Sequence, residues 1–289
     1  MASIKEYNRK IASLKNTRKI TRTMKMVSAS KLRRAQDAQR NARQFARETN
    51  LLIHRLVAGI PDCVNPLMVA RPQVKRVLLV VFASDKGLCG GFNNNLLRFA
   101  AAKVREFQGA GMQVHIACCG KRAYNAFRDR ATVDHHFENV TAKPDARDAR
   151  HISDILCRDY IEGRYDEIHL VNNVFISPLA QKPAIQPLLP LRPAELAVGE
   201  AAPRAEDFIA EPPVRDLVSQ LVPRIVVFKI FYALLENSAG EHGARMTAMD
   251  NATTNAGQLI DSYTLRRNRA RQAAITTELI EIISGAEAL

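Results

Sequence analysis

Apolar residues recur at intervals of three and four from the start of the chain: Ile4, Tyr7, Ile11 and Leu14, then Ile20, Met24 and Val27. The rhythm continues through Leu32, Ala35, Ala38, Ala42 and Phe45 to Leu52, Ile53 and Leu56. This is helical spacing on a narrow stripe. Residues 3–58 contain neither Gly nor Pro, Ser3 and Glu6 form a plausible capping box, and Gly59-Ile60-Pro61 reads as a stop. At ~1.5 Å per residue the predicted helix is about 80 Å long. Small residues in its middle (Ser28, Ala29, Ser30, Ala35, Ala38, Ala42) would let a second backbone approach closely. The far end of the chain supplies one. Residues 224–289 contain no proline and read as a helix of about 95 Å. Globular helices usually run about three to four turns, so the two ends are expected to pair as an antiparallel coiled coil with an imperfect heptad. Gly240 and Gly243 are expected to soften the second helix, by ~1 kcal/mol each relative to Ala.

The pattern changes between the two helices. Arg76-Val-Leu-Leu-Val-Val-Phe82 is a continuous, β-branched apolar run, the mark of a strand buried on both faces. Strands are also expected over residues 113–118 and 167–175, with helices near 93–108, 121–130 and 145–163. Strands alternating with helices of this length predict a parallel sheet with crossover helices, a Rossmann-like α/β domain inserted between the halves of the coiled coil. The proline-rich residues 178–213 read as extended chain and loop.

Charge sharpens the picture of the first helix. Of the net +13, residues 1–58 carry +12, with 15 Lys or Arg against Glu6, Asp37 and Glu48. An excess so localised predicts an acidic partner surface, a nucleic acid or a lipid headgroup layer facing that segment. Arginines and lysines spread around the helix with Phe45 as their one aromatic favour a protein-facing or solvated helix over a nucleic-acid module. No apolar run approaches the ~18 residues a membrane crossing requires. The five cysteines form no CxxC pair, and Cys118 and Cys119 would point to opposite faces of a strand, a pattern of reduced, packed thiols.

Candidate chemistry is sparse. Asp85-Lys-Gly-Leu-Cys-Gly-Gly91 follows a buried strand and opens a helix, where backbone N–H groups could meet a phosphate. It is neither GxGxxG nor GxxxxGK[ST], and glycines are needed at such a turn for sterics alone. The seven histidines and five cysteines lack metal-ligand spacing, and no nucleophile or paired-carboxylate motif is present. From Ile275 onward, Leu279, Ile280, Ile282, Ile283, Ala286 and Leu289 are read as spread around the helix, so this tip is expected to sit in an apolar ring made by other chains.

These residues bring the sequence to a family. Ile275-Thr276-Thr-Glu278-Leu-Ile-Glu281-Ile-Ile-Ser-Gly285-Ala286 resembles the C-terminal signature of the gamma subunit of F-type ATP synthases. So do Ile11-Ala-Ser-Leu-Lys-Asn-Thr-Arg-Lys-Ile-Thr21, Met24-Lys-Met-Val27, the Ser84 to Gly91 loop, and Leu235-Glu-Asn237 through Ala244-Arg-Met-Thr-Ala-Met249. The likeness runs from Ala2 to the end, so no presequence is expected, and the wording looks bacterial, most like alphaproteobacterial versions. Asp250-Asn251 and Gly240-Glu-His-Gly243 depart from the family pattern.

The resemblance implies a rotor shaft inside a ring of three alpha and three beta subunits, with the inserted domain as a foot on the c-ring beside the epsilon subunit. It implies no catalytic site, cofactor or metal in this chain, no nucleic-acid partner and no direct lipid insertion. It also implies a peripheral place on the cytoplasmic face of the bacterial inner membrane. Carried over by position, Met24, Arg245, Arg271, Gln272, Thr276 and Glu278 are the expected contacts with the catalytic ring, and Phe208 the expected contact with the c-ring and epsilon. The expected division is 1–60 for the N-terminal helix, 61–212 for the foot and 213–289 for the C-terminal helix.

Overall fold

The computed structural model describes residues 4–58, 65–192 and 213–287. At its centre is β1 (Arg76–Phe82), whose side chains alternate between two apolar cores as a strand's period of two requires. Leu78, Val80 and Phe82 enter one core, and Val77, Leu79 and Val81 the other. Around it β2 (Gln113–Cys119), β3 (Thr132–Phe137), β4 (Glu167–Phe175) and β5 (Gln181–Leu189) complete a five-stranded sheet in the order β3-β2-β1-β4-β5. All neighbours are parallel except β4 and β5. Helices α2 (Phe92–Gly109) and α3 (Lys121–Phe127) cover one face. The other is covered by α4 (Ala146–Ile161) and the first part of α5 (Val214–Glu287). Cys118 and Cys119 fall into opposite cores, as adjacent strand residues must.

Two strands go beyond the sequence reading. β3, over residues for which the sequence predicts no element, is an edge strand with a register shift at Ile116/Ala117 that displaces Asp134. β5 falls in the proline-rich segment that reads as extended chain and loop, and it contains Pro183 and Pro187. It is the opposite edge strand, where a missing N–H leaves no ladder bond unmade on its open side. The sheet is therefore mixed, not purely parallel.

The last helix extends ahead of the proline-free stretch at 224–289: it starts at Val214 and carries Pro223 within it. Val218, Val222, Ile225, Val226, Ile230, Ala233 and Leu234 bury a helical stripe against the sheet, which holds the helix together across the proline. By length and composition, Asp216–Ser284 contains a stretch apolar enough to cross a membrane, contrary to the sequence expectation. The buried stripe gives these residues a core role instead.

Gly240 and Gly243 have a steric reason. A Cβ on Gly240 would stand 2.8 Å from the buried ring of Phe92, and one on Gly243 3.1 Å from Cα of Pro178. The helix thus touches the sheet's loops with no side chain between. Replacing Gly240 by valine should lower stability by about 2–3 kcal/mol through overpacking. Gly257, with nothing within 4 Å of its virtual Cβ, gives the opposite sign: alanine there should add up to about 1 kcal/mol of helix propensity. Urea midpoints of the two variants measure both; equal shifts would contradict the steric assignment.

The chain divides into two compact units, Ser30–Ala244 and Met1–Ala29 with Arg245–Leu289. In the second unit, α1 (Ile4–Ala58) and α5 run antiparallel, because partner numbers fall on one helix as they rise on the other. Tyr7 meets Tyr263, Thr21 Oγ1 lies 2.7 Å from Thr253 Oγ1, and Lys25 Nζ donates to Asp250 Oδ1 at 2.6 Å. The seam alternates by four and three through Tyr7, Ile11, Leu14, Arg18, Thr21, Lys25 and Ser28, of which Ile11, Thr21 and Ser28 are buried. The expected stripe was out of phase here. Ile20 and Val27 are 59% and 51% exposed, and polar residues hold the interface positions. A hydroxyl pair and an ion pair within a coiled-coil seam fix register at some cost in stability.

Candidate functional site: the strand-to-helix loop and the exposed shaft

The loop after β1 spends its polar groups internally. Asn93 accepts from the backbone N–H of Ser84 at 3.0 Å, and its amide donates to the Ser84 hydroxyl at 2.7 Å. Asp85 reaches across to α3, accepting from the backbone N–H of Lys121 at 3.0 Å and from the Thr141 hydroxyl at 2.9 Å. A carboxylate thus stands at the start of α3, among the donors an anion would need. The glycines serve the turn. Gly90 has φ +57, and the loop closes through Phe92 N–H to Cys89 C=O at 3.2 Å.

Four of the seven histidines lie beside a carboxylate. His115 Nδ1 lies 2.7 Å from Asp134, His135 Nε2 2.7 Å from Asp159, His136 Nε2 3.7 Å from Glu138, and His169 Nε2 2.9 Å from Glu167. Tyr165 donates to the same Asp134. His136–Glu138 and His169–Glu167 are two residues apart in the chain, whereas His115–Asp134 depends on the pairing of β2 with β3 and His135–Asp159 on the packing of β3 against α4. Among the described residues no group of three His, Cys, Asp or Glu is arranged to hold a metal ion. Burial pushes the thiol of Cys118 up to about 12 and that of Cys157 to about 11, which makes both poor nucleophiles.

The shaft carries the remaining sequence-derived positions, at two separate stations. Met24 sits half-buried on α1 between Thr21 and Lys25, which bond to α5. It shares a face with exposed Ile20 and Val27: at 100° per residue the three fall within an arc of about 60°. Those residues were read as seam; they form instead an outward apolar strip on a basic helix. Arg245 is 8% exposed on α5. Arg271, Gln272, Thr276 and Glu278 are all exposed, beyond Tyr263, where the last aromatic contact with α1 occurs. Arg271 lies about 39 Å along the helix from Arg245 at ~1.5 Å per residue, so the two stations are not one site. Phe208 lies outside the described residues.

The end of α5 is apolar without being covered. Ile275, Leu279, Ile280, Ile282 and Ile283 are between 48% and 68% exposed. Projected at 100° per residue they occupy an arc of about 160°, with Thr277, Glu278 and Glu281 on the other side. The tip is therefore two-faced, not apolar all round as its composition suggested. Thr276 and Thr277 turn their hydroxyls onto the carbonyls of Gln272 and Ala273, at 3.0 Å each, so neither adds a free donor to the surface.

Comparison with known proteins places this architecture. A family model described as ATP synthase matches residues 3–289. The ATP synthase gamma chain of Trichlorobacter lovleyi is 42% identical over 289 residues, covering 100% of this chain and 99% of the relative. That of Allorhizobium ampelinum is also 42% identical, over 299 residues and 100% of both, so identity does not favour an alphaproteobacterial likeness. Among solved structures, the rotor of the Euglena gracilis mitochondrial ATP synthase superposes with a TM-score of 0.64 at 19% identity, covering 94% of this chain and 98% of that one. The Tetrahymena thermophila mitochondrial central stalk and c-ring structure gives 0.59 at 24%, covering 81% and 99%. With paired terminal helices, an inserted α/β sheet and relatives matched over their whole length, this chain belongs to the ATP synthase gamma chain family.

Proposed function

We propose that the chain is the central-stalk rotor of an F-type ATP synthase, turning inside a ring of three alpha and three beta subunits. It couples proton translocation through the membrane sector to ATP synthesis or hydrolysis at the beta-subunit sites, with no catalytic site or cofactor of its own. The observation that carries this reading is the two-faced end of α5, five large apolar side chains exposed on a helix that has outrun its companion. A lone helix of this kind is stable only inside a sleeve of other chains. Because its apolar and acidic sides differ, each angular position presents a different surface to the three catalytic interfaces, and rotation becomes a sequence of unequal contacts.

In this reading Met24, with Ile20 and Val27 beside it, and Arg245, Arg271, Gln272, Thr276 and Glu278 meet the catalytic ring. Phe208 meets the c-ring and epsilon subunit. Residues 1–60 and 213–289 act as shaft and 61–212 as foot, peripheral to the cytoplasmic face of a bacterial inner membrane without lipid insertion. The lineage we favour remains the alphaproteobacterial one, on the wording of the C-terminal half. The net +12 on residues 1–58 suits acidic levers of the ring better than nucleic acid.

The test is affinity capture of the tagged chain from detergent-solubilised membranes, with native mass spectrometry and an ATPase assay. The expected result is one copy with three alpha and three beta chains and ATP hydrolysis by the assembly. Recovery of the chain alone, or with nucleic acid, would overturn the reading.

A further inference from the structure

Helices α2 and α3 leave a groove of about 780 Å³ between them, on the side of the sheet that neither α4 nor α5 covers. Its floor is apolar and shallow, made by Leu97, Ala101 and Val104 of α2 and Phe127 of α3. Arg98, Arg105 and Arg130 line it, and no acidic residue does. The acids nearest in sequence are engaged elsewhere: Glu106 with Lys103 at 2.7 Å and Asp129 with Arg128 at 3.2 Å. Arg98 donates to the amide oxygen of Asn95 at 2.6 Å, which holds its guanidinium in place without neutralising it. Arg105 and Arg130 make no ion pair among the described residues.

The spacing specifies an occupant. Arg98 and Arg105 are seven residues apart, two turns of α2 and about 10.5 Å along its axis. An antiparallel or parallel helix laid in the groove, with carboxylates seven residues apart, would set one opposite each guanidinium. Ala101, between the two arginines, removes the bulk that would hold such a helix away. The 18 residues of α2 offer about 27 Å of contact, enough for some five turns. Nucleic acid fits less well, since an apolar floor gives a phosphate backbone nothing to bond and bases would find no stacking partner. Phe127 is buried, and Tyr124 is already stacked on His136 at 4.0 Å.

We propose that this groove docks an acidic amphipathic helix of a protein partner, one that presents carboxylates seven residues apart beside a face of small apolar side chains. The inference is independent of the shaft and its contacts.

The experiment places a benzophenone amino acid at Ala101 of the full chain, irradiates intact cells, and sequences the crosslinked peptide by mass spectrometry. The expected product is an acidic helical segment of another protein with carboxylates at seven-residue spacing. Its yield should fall about tenfold or more with Arg105→Glu and Arg130→Glu together, and stay near the parent's with Arg105→Lys. Both arginines are exposed, and equal thermal midpoints of parent and variant will separate lost docking from lost folding. Crosslinks to nucleic acid or to a second copy of this chain would overturn the proposal. So would the absence of any protein crosslink, or a yield indifferent to charge reversal.

Discussion

Alanine at Gly120 should cost about 4 kcal/mol or more and leave much of the chain unfolded, since domains are stable by only about 5–15 kcal/mol. Gly120 follows the last residue of β2 with φ +94 and ψ 149, a region that side-chain-bearing residues enter at about 1–3 kcal/mol. Space is the larger problem. A Cβ would stand 2.2 Å from the carbonyl oxygen of Ala83, a backbone atom that cannot swing aside. That carbonyl is pinned at the end of β1, where Ala83 N–H donates to Cys119 C=O at 3.0 Å, and Gly120 N–H in turn donates to Phe137 C=O at 2.8 Å. Three strand ends would have to part to admit one methyl group. Gly111 supplies the comparison: φ is +81, but nothing lies within 4 Å of its virtual Cβ. Gly111→Ala should lose only the conformational part, about 1 kcal/mol. Urea denaturation followed by circular dichroism checks both, and similar losses at the two sites would refute the steric argument.

The parts of this fold that were legible in the sequence are those in which one physical demand dominates. Six apolar residues at 77–82 could only be a strand buried on both faces, and the absence of Gly and Pro from residues 3–58 could only favour a long helix. Edges were harder to read. β3 and β5 lie at the two margins of the sheet, so neither needs an apolar face, and β5 tolerates Pro183 and Pro187 for the same reason. The coiled-coil seam misled in another way. Its three-and-four spacing was read correctly, but hydrophobicity chose Ile20 and Val27 where the helices meet through Thr21, Lys25 and Ser28. Between Ile20 and Ser28 the apolar residues lie on the outer side and the polar ones in the seam, a local inversion of the usual rule, while Ile11 keeps an apolar seam position farther along. Gly240 and Gly243 could be found in the sequence, but their purpose depended on Phe92 and Pro178, which no local pattern connects to them.

Replacing Glu236 by glutamine should stabilise the protein at alkaline pH and do little at acid pH. Glu236 lies buried on α5, with Oε2 accepting from the amide of Asn172 at 3.0 Å and Oε1 3.5 Å from the amide of Gln39 on α1. Burial raises its pKa from 4.5 to about 7, against the opposing pulls of the Asn172 hydrogen bond and the Arg43 charge. The folded state therefore holds this proton more tightly than the unfolded chain does. Its contribution is fully present below about pH 4.5 and is lost as pH rises through about 7. At pH 8 the ionised carboxylate costs on the order of 3 kcal/mol relative to the protonated form, at about 1.4 kcal/mol per unit. Glutamine keeps an oxygen to accept from Asn172 and carries no charge to desolvate. Glu236→Gln should thus exceed the parent by about 2–3 kcal/mol at pH 8 and approach it near pH 4. Chemical denaturation across that range gives the answer directly. A constant difference would mean that the carboxyl titrates alike in the folded and unfolded chains, and that burial between the helices and the sheet leaves its proton unaffected.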